Sequence, residues 1–279
     1  MHKFLRAIGF SHITKEQLQH IFADIISAPT VQKAALDSEG NEFAELSKEY
    51  GDFFGISVRG VYNEDDTFEM EYYYPYLCGK NISTIEPAEV EKHAEKESYA
   101  GICDEVRIGV TLIFYLQNVV DYLAVSKSKG YMNLADGVIL AALSTEGKIL
   151  FPINKAEKKV PHAARDGDED AIENLTLEDI DTYSLLSKRI THEDVLSIVD
   201  TYFMPYGIES DQYSVLGEIM DVTLLQNRFT EENVYSMEIM CNDILFSVCI
   251  NQKDLLGEPE VGRRFKGNIW MQGSVKYRD

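Results

Sequence analysis

An α+β fold with mainly antiparallel sheet is what the sequence predicts, and three patterns predict it. A capped amphipathic helix opens the chain, apolar and polar residues alternate through several later stretches, and two of those stretches meet at tight turns. With 279 residues, 45% of them hydrophobic and 26% charged, the chain can build one large core or two ordinary ones and is not disordered as a whole. The expected organisation is a mixed α/β-sandwich-like domain over 1–153, an acidic exposed linker over 154–175, and a helical pair followed by an antiparallel β module over 176–279. Whether that module closes into a barrel or packs on the N-terminal domain is left open.

The helix signal is Thr14 as N-cap, Gln17 three residues on to close a capping box, and Ile13 placed to staple onto Leu18. Leu18, Ile21, Phe22, Ile25 and Ile26 then share a stripe, and Pro29 stops the helix, which should cover a sheet. Alternation over 54–62 and 68–76 predicts a hairpin with Tyr62 opposite Phe68, Gly60 opposite Met70, Val58 opposite Tyr72 and Ile56 opposite Tyr74, leaving Arg59 facing Glu71 on the other side. A charged helix is expected over 87–97, a strand over 106–116, and a hairpin turning at Glu146 and Gly147. Two helices capped at Thr176 and Thr191 should end near Pro205. In the C-terminal part, 215–225 reads as a strand. A turn at Asn242 and Asp243 sets Cys241 against Ile244, Ile239 against Phe246, Met237 against Val248 and Tyr235 against Ile250. The last strand, 265–277, puts Phe265, Ile269, Met271, Val275 and Tyr277 on one side with Gly267 and Gly273, and glycines there suit strong curvature.

Charge narrows the function classes. The 47 acidic and 26 basic residues leave a net charge of −21, which disfavours a surface built for nucleic acid or acidic membrane. Four cysteines, none in a C-x-x-C pair, give neither a disulfide framework nor a zinc or redox motif, so a reducing cytoplasm is expected. No stretch is long and apolar enough for a signal peptide or a membrane span. The acidic loop with Asp166, Asp168 and Asp170 spaces carboxylates like a calcium loop but has Ala171 where glycine is needed and Leu177 where a glutamate should close the shell. No catalytic residue, metal or cofactor is therefore expected. Tyr72, Tyr74 and Tyr76 read as core rather than as a stacking platform.

Trp270 is the aromatic that stands out. It alternates with Lys266, Asn268 and Gln272, opposite the apolar face of its strand, and a basic run including Arg263 and Arg264 precedes it. Trp270, Gln272, Lys266, Arg263 and Arg264 are thus the candidate binding residues, weighed against burial of that face on other parts of the chain. The runs 217–222, 234–243, 246–251 and above all 254–275, together with the opening 4–18, resemble an uncharacterised family of bacterial proteins, mostly from Firmicutes, classed as a domain of unknown function. That resemblance implies a cytosolic protein and supplies no site residues. The C-terminal strands also resemble an OB-like barrel, with four strands visible where five are expected. The preferred function is non-enzymatic binding or scaffolding through an unknown protein partner. The alternatives are nucleic-acid binding by the mildly basic C-terminal tail and an enzyme without a recognisable motif. Oligomeric state stays open.

Overall fold

Thr14 opens helix α1 (Lys15–Ser27) as its sequence dictates: its hydroxyl accepts from the Gln17 backbone N–H at 3.1 Å, and the Gln17 side chain accepts from the Thr14 N–H at 2.9 Å. The box satisfies donors that a helix start leaves orphaned. Leu18, Ile21, Phe22 and Ile25 are buried, whereas Ile26 is exposed. The computed structural model to which α1 belongs describes residues 1–84, 86–92, 98–129, 135–152, 199–207 and 210–277. Met1–Leu150 and Tyr202–Asp279 form one unit and Phe151–Thr201 another. The expected linker, the acidic loop and the helices starting at Thr176 and Thr191 lie outside the described residues.

α1 lies on a four-stranded antiparallel sheet of β1 (Val31–Leu36), β2 (Glu42–Gly51), β3 (Phe54–Tyr62) and β4 (Phe68–Leu77), in that order. The β3–β4 hairpin begins in the expected register, Tyr62 on Phe68 and Gly60 on Met70, and then slips. Glu71 is bulged out, so Arg59 meets Tyr72, Val58 meets Tyr73 and Ser57 meets Tyr74. One extra residue exchanges the faces of everything beyond it, and the expected Arg59 to Glu71 pairing does not form. Gly60 makes the slip possible, since a Cβ there would sit 1.9 Å from the Glu69 carbonyl oxygen. On the side facing α1, Leu46, Ile56 and Val58 share a core with the helix, and the Phe22 ring lies 4.5 Å from that of Tyr73.

The second sheet has ten strands. They are β5 (Glu89–Lys92), β6 (Tyr99–Cys103), β7 (Leu112–Leu116), β8 (Ala135–Leu150), β9 (Tyr202–Pro205), β10 (Gln212–Gln226), β11 (Asn233–Cys241), β12 (Ile244–Asn251), β13 (Leu255–Leu256) and β14 (Arg264–Tyr277), with helix α2 (Val119–Lys129) after β7. Five of them close on themselves. β8 pairs in parallel with β12, β12 with β11, β11 with β10 and β10 with β14 antiparallel, and β14 returns antiparallel to β8. Phe265, Ile269, Met271 and Val275 fill the interior with Leu140, Ile239 and Val248. Gly267 and Gly273 face inward as expected, each with a ring, Phe265 or Phe114, 2.5 Å from where a Cβ would be. Asn242 and Asp243 take left-handed angles, φ 49° and 61°, and the four pairs expected across that turn all form.

Several expectations are overturned. No turn occurs at Glu146 and Gly147, because β8 continues through them paired with β14, with only a bulge at Thr145, and the missing side chain of Gly147 makes room for the Phe265 ring. The 87–97 helix is replaced at 89–92 by β5, and Val106 lies exposed in a turn ahead of β7. The chain before Pro205 ends in β9, not in a helix. The N-terminal stretch is also no separate domain, since it donates β8 to the barrel. The fold is thus β-rich, with few helices, and mainly antiparallel.

The two sheets meet across Arg59. Its side chain is fully buried, ion-paired to Glu45, and donates to Tyr74 Oη at 2.9 Å, to Tyr115 Oη at 3.1 Å and to the carbonyls of Leu116 and Gln117. Burial alone would lower its pKa, but Glu45 and the surrounding phenols hold it well above its usual value. Removing one member of such a pair leaves an uncompensated buried charge, so Glu45→Gln should cost about 3 kcal/mol and lower the urea midpoint at unchanged slope. A variant as stable as the parent would show that the pair is not holding the sheets together.

Candidate functional site

β14 scatters the residues that the sequence singles out. Arg263, just ahead of it, is ion-paired to Glu260 at 2.8 Å and donates to the Glu258 carbonyl at 2.9 Å. Arg264 is buried, and Lys266 is half-buried in an open cleft with Lys148, Ser214 and Asn268. Trp270 is 6% exposed: it stacks on Phe4 at 5.2 Å, lies 4.8 Å from His2 and 5.1 Å from Tyr115, and donates Nε1–H to Asp211 at 2.7 Å. Gln272 is fully buried between the sheets, donating to the Pro75 carbonyl at 2.8 Å and accepting from Gln117 at 2.9 Å. Alternation correctly placed Trp270 and Gln272 outside the barrel interior. It could not show that the outer face is itself covered, by the 3-10 turn Lys3–Ile8 and by β4.

The basic run is not one surface either. Lys253 is paired with Glu232 at 2.8 Å, and Arg263 is paired as above, so two of its charges are already met by carboxylates. Chemistry finds little purchase among the described residues. Burial pushes the Cys103 thiol up to about 11 and that of Cys241 up to about 12, and it raises that of Cys249 too, which keeps all three protonated near neutrality. No group of three or more His, Cys, Asp or Glu residues is placed to hold a metal among the described residues, and none of their helices is long and apolar enough to cross a membrane.

The feature that the sequence reading missed is an edge. β10 continues past its partner β14, which pairs only as far as Glu218; Met220 bulges, and residues 221–226 are joined to β11 alone among the described residues. Met220 and Leu224 are exposed along it, as is Val261 beside Gly262, whose N–H reaches the Ile219 carbonyl at 2.8 Å. Exposed Asp221, Glu231, Glu258 and Glu260 lie on β10 or on the loops that flank it. The signal available was the length of the 215–225 apolar run, which exceeds what one barrel wall uses.

Fold and surface define a β-rich protein with a closed barrel, a covering sheet and an exposed strand edge along β10. The chain belongs to the family described as "Domain of unknown function, E. rectale Gene description (DUF3881)", which matches residues 5–273. No curated protein and no solved structure matches it.

His2 gives this region a pH dependence. Burial, reinforced by Lys3 and the terminal amine, lowers its pKa from 6.5 to about 4. The folded state therefore resists a proton that a freed His2 would accept, so docking of the N-terminal turn is at full strength above pH 6.5 and weakens as pH falls toward 4. Because the chain holds one tryptophan and His2 lies 4.8 Å from it, Trp270 emission should change over that interval, and His2→Phe should remove the change. An identical curve in the variant would exclude His2 as the cause.

Proposed function

We propose that this protein is a non-enzymatic binding protein that takes an extended, basic segment of a protein partner along the open edge of β10. The observation that carries the reading is residues 221–226, paired on one side only among the described residues. An unpaired edge presents a row of backbone N–H and C=O groups that a partner strand can complete. Natural edges are blunted by charges, proline or bulges, and beyond the bulge at Met220 and the charge of Asp221 the segment 222–226 holds none of these. Met220 and Leu224 offer apolar contacts, while the net charge of −21 and the exposed Glu231 and Glu258 favour a cationic partner, Asp221 and Glu260 being paired with Lys80 and Arg263.

The barrel's connectivity supports a binding role elsewhere than at the usual place. In an OB fold the first three strands form a meander, the last pairs in parallel with the third, and the fourth bridges the last to the first. Here β10, β11 and β12 are the meander, β8 is parallel to β12, and β14 bridges β8 and β10. We read the barrel as an OB fold whose last strand has moved to the front of the chain. OB folds bind ligands across their second and third strands, which correspond to β11 and β12. That face is occupied from within: Val234 and Cys249 pack with Phe4, Leu5 and Ile8, and Glu238 is buried under Asn81 and Lys80.

Carbodiimide coupling, which joins carboxylates to lysines in direct contact, tests the reading on native copurified material. A partner lysine should be found joined to Glu231 or Glu258. Met220→Lys combined with Leu224→Lys should abolish that product without lowering the melting temperature. Equal coupling in the double variant, or nucleic acid in place of protein in the purified material, would defeat it.

A further inference from the structure

A second surface lies across β8 and β14. Lys148 and Lys266 stand directly opposite each other in that pairing, on the face turned away from the barrel interior, since the adjoining pair of Ile149 and Phe265 packs in the core. Side chains so placed start about 4.5–5.5 Å apart, and like charges there repel. Neither ammonium has a carboxylate within ion-pair reach among the described residues, although acids outnumber bases 47 to 26 in this chain. Other cations of the same unit, such as Arg6, Lys33, Lys48 and Lys253, each hold a carboxylate within 2.8 Å. Two unneutralised lysines set side by side in so acidic a molecule call for a mobile anion.

The surroundings say which kind. The lysines line an open cleft of about 460 Å³ together with Ser214, Asn268 and Glu146. Glu146 is already engaged, accepting from Asn268 Nδ2 at 2.5 Å, and the Asn268 backbone carbonyl is fixed in turn by the Ser144 hydroxyl at 2.8 Å. An anion is therefore drawn to the row of Lys148 and Lys266, one row along the sheet from the row that holds Glu146, Asn268 and Ser214. Two adjacent ammonium groups match a doubly charged group. The cleft offers only two free cations, and the acidic remainder of the molecule repels a chain of phosphates.

We propose that Lys148 and Lys266 form a binding site for a single phosphate monoester group. This site is independent of the β10 edge and uses none of its residues.

Titration with inorganic phosphate and with glycerol phosphate, against chloride at matched ionic strength, provides the test. Both should bind the parent, and Lys148→Gln and Lys266→Gln should each weaken binding roughly tenfold. Each variant should melt no lower than the parent in chloride, because the substitution relieves a like-charge contact. Phosphoserine in a short peptide, if it binds more tightly than glycerol phosphate through the same lysines, would place the monoester on a protein, while the reverse order would place it on a small molecule. Phosphate binding that is absent from the parent, or unchanged in both variants, would overturn the site. So would an oligonucleotide that binds far more tightly than phosphate and loses affinity in both variants, since that is a polyanion track.

Discussion

Everything in the layered arrangement turns on one buried cation. Arg59 sits where the four-stranded sheet faces the barrel sheet, and its guanidinium gives all its donors to Glu45, to tyrosine hydroxyls and to the carbonyls of Leu116 and Gln117. A buried charge is tolerable only when it is paired and its remaining hydrogen-bonding capacity is used, so the two sheets can pack in one relative position and no other. Gln272 extends the same seam, tying Pro75 and Leu77 to Gln117. The interface between the sheets is thus a row of directional polar contacts set among tyrosine rings. Sliding one sheet over the other would break several of them together.

Barrel closure imposes the second constraint. β8 comes from the middle of the chain and has to lie between β12 and β14, which follow it by about a hundred residues or more. The barrel is therefore complete only once distant parts of the sequence have met, and the inward glycines on β14 let the strand bend enough to close it. The outer wall then needs covering, and the chain supplies the cover itself. Phe4 stacks on Trp270, Asn227 donates to the Ile8 carbonyl at 2.7 Å, and Glu232 gathers Ser11, Asn251 and Lys253 around the N-terminal segment. With that wall spent on folding, the surfaces we propose for recognition are the projecting edge of β10 and the lysine cleft between β8 and β14. They select by different physics, one by completing a sheet and the other by neutralising charge.

Local rules made a large part of this legible. The Thr14 to Gln17 capping box, the turn at Asn242 and Asp243 with its four apolar pairs, and the inward set on β14 are each decided by residues close together in sequence, where capping geometry, left-handed backbone tolerance and strand alternation leave one answer. The similarity to an uncharacterised family was legible for the same reason, being carried by contiguous runs. What alternation reports, however, is only that two sides of a strand differ. It placed Trp270 and Gln272 opposite the barrel interior and had no means of showing that a second layer buries that side as well.

The sequence by itself determined helix α1, the β11–β12 hairpin with its register and the inward face of β14, because those follow from periodicity, capping and turn chemistry. Tertiary structure alone decided that Glu71 bulges and brings Tyr72 and Tyr74 to Arg59, that β8 passes through Glu146 and Gly147 without turning, and that Lys148 faces Lys266. Each of these rests on a partner far away in the chain: Glu45 and Tyr115 for Arg59, the whole length of β14 for β8. Pairing energy across such distances is gained only when the sheets assemble, and no local pattern encodes it.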